Sequence, residues 1–492
     1  MVGLKASGTA RGAYRNRIYF AHADAVPAAR GIFHGKDMEM LQMLPTLPIA
    51  VVKIRSLDAL AKLRLLPMVD YVQPATVYAN QAAFGGPFES GCSAPDEWRD
   101  YTYRSELGDI IPWSYTGNYH DIVRAWTRGQ GDNVRVAILD TGLDPAQDQF
   151  FGRFNWNTSA TRSLLTFDTT PSSTSPSWSD DCGHGTRVNG LIGAPMDGTN
   201  TVGIAWKSDI ISIRVTPDVI IWWSGVDVYQ GIGDAVNNGA KIIQMAFGIA
   251  GGDAAVADLI RYYYYQTQGP LFVAAIGNTG DPNAAFPAEM DEVAAVVAAN
   301  QDGSRNGLSS WGPSAELEAF TPTASVGVPS RFLNAGPVSI SMTSAASATI
   351  SGIAALVWSV HPTWTNKQVR DRLRAASSHP LSRNWQNGYG IVNAYVAVGG
   401  LRYFQIAGAA CGTPGEEVPL TAWPDGDGPY AYRWGNGSTE NAILLTASSV
   451  VGGVVAADVE VTDLVSGLRA TAYHEVVTTR SESGDCTSPE GQ

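Results

Sequence analysis

Apolar and polar positions alternate in three different rhythms along this chain. Between residues 1 and about 85, Ile49 to Ile54 alternates as a strand does, and Ser56 then opens a short amphipathic helix through Leu57, Leu60, Leu63 and Leu66. Pro67 closes that helix, and Val69-Asp70-Tyr71-Val72 returns to strand. A strand–helix–strand unit of this size holds little core of its own, so it is expected to pack against a neighbour. From about 115 to 400 the rhythm becomes β/α alternation. Val134–Leu139, Ile210–Val215, Ile242–Ala246, Leu271–Ile276 and Val293–Ala298 are apolar runs suited to buried parallel strands, with helical segments such as Asp253 to Gln268 and Thr365 to Ala376 between or after them. This predicts an α/β fold with a parallel sheet, helices on both faces and a site at the carboxyl ends of the strands. After about 400 no helix is indicated. Val418–Ala422, Tyr430–Trp434, Val454–Thr462 and Ala470–Val477, with turn signals at Pro424-Asp425-Gly426 and Asn436-Gly437, predict a small β-sandwich.

The expected organisation therefore has four parts: 1–85, a linker over 86–114, 115–400 and 401–492. Gln81 to Asp96, rich in Gly, Ser, Pro and Ala, contributes to the linker reading.

Charge narrows the partners. The net charge is −13, and outside the extreme N-terminus no Lys/Arg run occurs, which argues against nucleic acid and anionic membranes. No apolar stretch is expected to span a bilayer, since Ile350 to Val360 is short and holds Ser351 and Gly352. Met1 to Arg17 is small, polar and basic, so no signal peptide is visible. The four cysteines, Cys92, Cys182, Cys411 and Cys486, allow three pairings. Cys92 with Cys182 and Cys411 with Cys486 is the preferred one, and four free thiols in a reducing compartment is the alternative.

Three segments carry candidate chemistry. Val136-Ala137-Ile138-Leu139-Asp140-Thr141-Gly142 delivers a carboxylate at the end of a buried strand, where orienting a histidine is one reason to keep it. Alone it reads equally well as structural or metal-binding. In Asp181-Cys182-Gly183-His184-Gly185-Thr186-Arg187-Val188-Asn189-Gly190 a histidine stands between two glycines, which lets the backbone come close and leaves a proton carrier in an open site. No second metal ligand sits at zinc spacing beside it. Ser341-Met342-Thr343-Ser344-Ala345-Ala346-Ser347-Ala348 leads into a helix whose stripe is Ile350, Ile353, Ala354 and Val357, putting Ser344 at the positive helix end. A capping serine is the plain alternative there.

Together these segments resemble the subtilisin-like serine proteases. The Asp, His, Ser order is the one general principles give for that family, with separations of 184 − 140 = 44 and 344 − 184 = 160. The His184 segment is similar to D-x-x-G-H-G-T-H-V-A-G, and the Ser344 segment to G-T-S-M-A-x-P-x-V-A-G-x-x-A-L. Ala274-Ala275-Ile276-Gly277-Asn278-Thr279-Gly280 resembles A-A-G-N-x-G, which implies Asn278 as oxyanion donor. Ile243-Gln244-Met245-Ala246-Phe247-Gly248 looks like the substrate-pairing edge strand N-M-S-L-G. Ser309-Ser310-Trp311-Gly312-Pro313 and Asn387-Gly388-Tyr389-Gly390-Ile391-Val392-Asn393-Ala394 also lie where the family has similar stretches.

The resemblance implies a serine endopeptidase acting through Asp140, His184, Ser344 and Asn278. It implies a substrate cleft lined by Ala246, Phe247, Gly248, Ala274, Ala275, Ile276 and Gly277. Protein or peptide substrates follow, with no cofactor required, no catalytic metal, a monomer and an extracellular location. Residues 1–85 look like the family's inhibitory propeptide, whose tail sits in the cleft, with self-cleavage between Val77 and Gly86. The last region resembles polycystic-kidney-disease (PKD) or immunoglobulin-like modules. Four positions depart from the family pattern: Met342 for glycine, Ala348 for proline, Arg187 for histidine and Gln244 for asparagine. Met342 is expected to resist a positive φ. These departures leave a catalytically impaired binding protein on the same fold as the rival reading, and the missing signal leaves an intracellular peptidase as another. Met196 to Gly203 lies where a structural calcium loop is common, but Gln149 replaces the acidic partner, with Asp148 one place off. A solvated loop is the expectation.

Overall fold

The computed structural model describes residues 14–20, 37–44, 46–66, 69–76, 92–100, 103–151, 154–156, 162–170, 176–221, 225–400, 404–409, 411–424, 427–451, 453–465 and 469–479. The chain forms two compact units, 1–114 with 131–392 and 115–130 with 393–492. They cut the sequence differently from the four parts expected. Within 86–114, Trp98, Asp109, Ile110, Ile111 and Trp113 are buried, and Trp98 N donates to Pro337 O at 3.1 Å, so the described part of this stretch packs as structure.

The N-terminal region is an antiparallel sheet of β1 (Tyr14–Phe20), β2 (Met38–Met43), β3 (Ile49–Ile54) and β4 (Val69–Thr76) in the order β2-β3-β1-β4, with α1 (Leu57–Arg64) after β3. Ser56 caps α1 by accepting from Ala59 N. The apolar face of α1 runs through Ala59 and Leu63, and Leu57, expected on it, is exposed. Ala59 and Leu63 are four residues apart, so they share one face, and the first helical residue lies off it. Pro67 and the stretch from Val77 to Gly86 lie outside the described residues.

The sheet packs on a neighbour as its small size demands. Ala50, Val52 and Ile54 close a minor core with Ala59 and Leu63, whereas Leu44, Ile49 and Val51 join the main core of the larger region. Gln73 strengthens that junction: its Nε2 donates to Asp253 Oδ1 at 3.0 Å, and its Oε1 accepts from Ala254 N at 3.1 Å.

The larger region runs through β5 (Arg135–Asp140), β6 (Asn155–Trp156), β7 (Ser163–Asp168), α2 (His184–Gly193), β8 (Asp209–Arg214), β9 (Ile220–Ile221) and α3 (Val226–Asn237). It continues with β10 (Ile242–Met245), β11 (Gly248–Ile249), α4 (Ala254–Tyr264), β12 (Leu271–Ala275), β13 (Val293–Ala299) and β14 (Ala315–Phe320). The hairpin β15 (Thr323–Val328) and β16 (Asn334–Ile340), then α5 (Met342–Val360) and α6 (Asn366–Ala375), complete it. The main sheet is parallel throughout, in the order β14-β13-β12-β10-β5-β8-β7-β6, the last strand being two residues long. The chain reverses direction across the sheet at β5, beside β10 and β8, which is where sheets of this kind gather a site at their carboxyl ends.

Strand alternation sends Ala137, Leu139, Ile211, Ile213, Ile243 and Met245 into the core shared with α3 and α4. The opposite face of β10, β12 and β13 meets α5, which is buried on every side, not along the expected stripe alone. Its Ala, Ser and Gly residues let strands and helices approach from all directions. At 19 residues this helix is long and apolar enough to cross a membrane, which corrects the expectation from Ile350 to Val360, yet its place is the protein interior.

In the second unit, the sheets β17 (Phe404–Ala407), β19 (Glu417–Pro424), β21 (Ala442–Thr446) and β18 (Cys411–Gly412), β20 (Tyr430–Trp434), β22 (Val454–Asp463), β23 (Arg469–Thr478) enclose one core. Val418, Leu420 and Ala422 from one sheet meet Trp434, Val459, Val461 and Val476 from the other, as a sandwich requires.

Candidate active site

Asp140 ends β5, and its side chain is buried. Its Oδ1 accepts from Thr141 N at 2.7 Å and meets His184 Nδ1 at 2.8 Å. A carboxylate only accepts, so Nδ1 carries the proton and Nε2 is left as a base. His184 reaches this partner because the start of α2 presses on the strand end. A Cβ on Gly185 would lie 2.4 Å from Gly142 O, and Gly183 adopts φ +90°.

One carboxylate holds that loop together. Asp180 Oδ1 accepts from Thr141 Oγ1 (2.7 Å), Cys182 N (3.1 Å) and Gly183 N (2.6 Å). Its Oδ2 accepts from Thr186 N and Thr186 Oγ1, both at 2.7 Å. Burial pushes the Asp180 carboxyl up, and the bonds from Thr186, Gly183 and Thr141 oppose the shift. Sequence reading passed over Asp180, although the Asp-x-x-Gly-His spacing names it. Arg187 lies buried on the same helix. Desolvation lowers its pKa, while the charges of Asp180 and Asp140 favour the guanidinium. Cys182 is joined to Cys92, fixing the loop from its other side. Cys411 is also disulfide-bonded, and its expected partner Cys486 lies outside the described residues.

Ser344 sits in the first turn of α5, nearly buried, with Oγ 3.5 Å from Ala246 O. Asn278 Oδ1 accepts from Thr343 N at 3.2 Å and from Thr343 Oγ1 at 2.7 Å, so its oxygen is pinned and its NH2 group is turned away from Thr343. Met342 adopts φ +63°, the conformation it was expected to resist. A side chain in that region costs about 1–2 kcal/mol, a cost that glycine does not carry.

The expected cleft residues divide. Phe247, Ala274 and Ile276 place their side chains in the main core together with Phe286, so these three would face a substrate through backbone only. Period-two alternation turns the intervening Ala246 and Ala275 the other way. Gly277 adopts φ +117° just before Asn278. The strand edge expected to hold substrate is already paired: Gly248 N donates to Val219 O at 3.0 Å and Ala250 N to Ile221 O at 2.8 Å, making β11 parallel to β9.

The calcium-like loop closes on itself. Asp109 Oδ1 accepts from Asp197 N and Gly198 N, Asp197 Oδ1 accepts from Thr199, and Gln149 turns its Nε2 donor onto Thr199 Oγ1 at 2.6 Å.

Comparisons with known proteins bear on the family. The sequence profile described as the Subtilase family matches residues 131–392. A thermostable alkaline protease of Halalkalibacterium halodurans is 32% identical over 289 residues, 58% of this chain and 73% of the relative. Alkaline elastase YaB of a Bacillus species is 33% identical over 292 residues, covering 58% and 70%. Subtilisin E of Bacillus subtilis is 30% identical over 274 residues, covering 54% and 66%. With a parallel α/β sheet and a family match that spans more than half of its length, the chain belongs to the subtilase family and is a serine endopeptidase.

Proposed function

We propose that the chain cleaves peptide bonds by acyl transfer at Ser344 and is made as a self-processing zymogen. The observation that carries this is the His184 Nδ1 to Asp140 Oδ1 bond, which leaves Nε2 as a base on the side of the sheet where Ser344 begins its helix. Ser344 Oγ attacks the carbonyl carbon while His184 takes its proton, giving a tetrahedral oxyanion. Asn278 Nδ2 and the Ser344 N–H receive that charge, Asp140 stabilises the imidazolium, and His184 returns the proton to the leaving amine. Water then repeats the sequence on the acyl-enzyme. An extended substrate pairs with the Ala246–Gly248 edge by taking over the bond that Gly248 N now makes to Val219.

Residues 1–85 act as the inhibitory propeptide. Support comes from the docking of β3 on the main core and from the Gln73 amide on Asp253 and Ala254. The β-sandwich is read as a PKD or immunoglobulin-like accessory module, the Cys92–Cys182 disulfide favours an oxidising, extracellular setting, and the protein is expected to work as a monomer. The altered strand edge and Met342 favour one rival, a binding protein without turnover.

Masses of the chain expressed from Met1, followed over time beside Ser344→Ala, separate the two readings. The wild type is expected to shed about its first 80 residues while Ser344→Ala stays whole, and only the wild type is expected to take a fluorophosphonate. Two full-length proteins without label would put the binding reading first.

A further inference from the structure

The helix that carries Ser344 is tied to the sheet by one buried amide. Gln244, in β10, donates from Nε2 to Ser347 Oγ at 2.7 Å and accepts at Oε1 from Ser351 Oγ at 2.5 Å. Ser347 Oγ passes the contact on by donating to the Ser344 carbonyl at 3.1 Å. All three side chains are fully buried. The directions are fixed, because each hydroxyl has one proton and the amide has distinct ends. Two residues beyond Gln244 lies Ala246, whose carbonyl receives the Ser344 hydroxyl. One strand end therefore sets both the height of α5 and the rim beside its serine.

We infer that Gln244 is a positioning residue for Ser344. Through Ser347 and Ser351 it fixes the rotation and height of the first two turns of α5, and so the place of Ser344 Oγ relative to His184, Asn278 and Ala246. The glutamine amide spans Ser347 and Ser351, one helical turn apart, with one end on each. The inference rests on the reading of Ser344 as nucleophile.

Stability alone does not test it, since removing the amide strips Ser347 and Ser351 of a buried partner and costs stability whether or not Ser344 is positioned by it. The test is active-site kinetics of the mature enzyme on a short peptide substrate, with the fluorophosphonate labelling rate beside it. Gln244→Leu is expected to lose roughly 10- to 100-fold in kcat and in labelling rate, with KM moved less than about threefold. Ser347→Ala should lose a similar factor, and the double variant little more, because both act through one contact. Gln244→Glu adds a signature that packing does not produce. A protonated carboxyl donates and accepts as the amide does, and an ionised one only accepts. Its kcat relative to wild type should therefore rise as pH falls.

If wild type labels and Gln244→Leu labels within about twofold of it, the inference is overturned while the proposed function stands. If Gln244→Leu does not fold, Ser347→Ala with kcat within about twofold of wild type overturns it equally. A wild type that takes no label overturns the proposed function itself.

Discussion

The loop before His184 and the turn before Ser344 each deliver one polar side chain to the crevice, and they are held in opposite ways. The first is gathered from within: one carboxylate, Asp180, takes five hydrogen bonds from four residues of its own neighbourhood, and a disulfide closes the outside. The second is held from its flanks, by Gln244 beneath and Asn278 above, and it carries backbone strain at Met342. The histidine side is thus stabilised by polar groups gathered on one carboxylate of its own loop. The serine side depends on amides brought to it from β10 and from just past the end of β12.

The largest expected effect lies on the histidine side. Asp180→Ala strips partners from three buried N–H groups and should cost about 5 kcal/mol in denaturant unfolding, with kcat/KM down at least about 100-fold. A loss below about 1 kcal/mol would mean that the loop holds without its carboxylate and would dissolve the contrast. Next comes the disulfide. Cys92→Ser with Cys182→Ser frees a closure of 90 residues, worth up to about 4 kcal/mol by chain entropy. Thermal unfolding with and without reductant measures it, and wild type and the double variant should coincide under reductant. The smallest effect has the opposite sign. Met342→Gly relieves the left-handed side chain and should raise stability by about 1 kcal/mol, net of the extra freedom glycine gives the unfolded chain. A drop instead would show that the Met342 side chain contributes more by packing than its backbone costs.

Much of this was legible in sequence, for particular reasons. The runs at Ile242–Ala246 and Leu271–Ile276 read as buried strands because both faces of a parallel strand are covered, which leaves no polar alternation to mislead. Asp140, His184 and Ser344 stood out through glycines and small residues that packing alone does not require. The hairpin of β15 and β16 escaped notice because Gly, Ala, Asn and Pro interrupt its strand-favouring Val, Ile and Thr residues. The full burial of α5 was hidden because its apolar stripe marks one face only, and the partner that covers Ser347 and Ser351 lies about a hundred residues upstream. Leu57 misled in the other direction, as an apolar residue left in solvent at a helix start. Gln244 looked like a mere departure from asparagine, since its purpose depends on serines about a hundred positions downstream.

The bonds between β9 and β11 bear on how the protein behaves when it has nothing to cut. An enzyme that grips chains by strand addition has to keep a bare strand edge, and bare edges recruit one another into aggregates. Here Val219 and Ile221 cover the donors of Gly248 and Ala250, and Ile221 anchors its segment in the core. The edge is offered only to a chain that can exchange those bonds for its own, so at Gly248 and Ala250 the resting protein gives neighbouring copies no free donor to join.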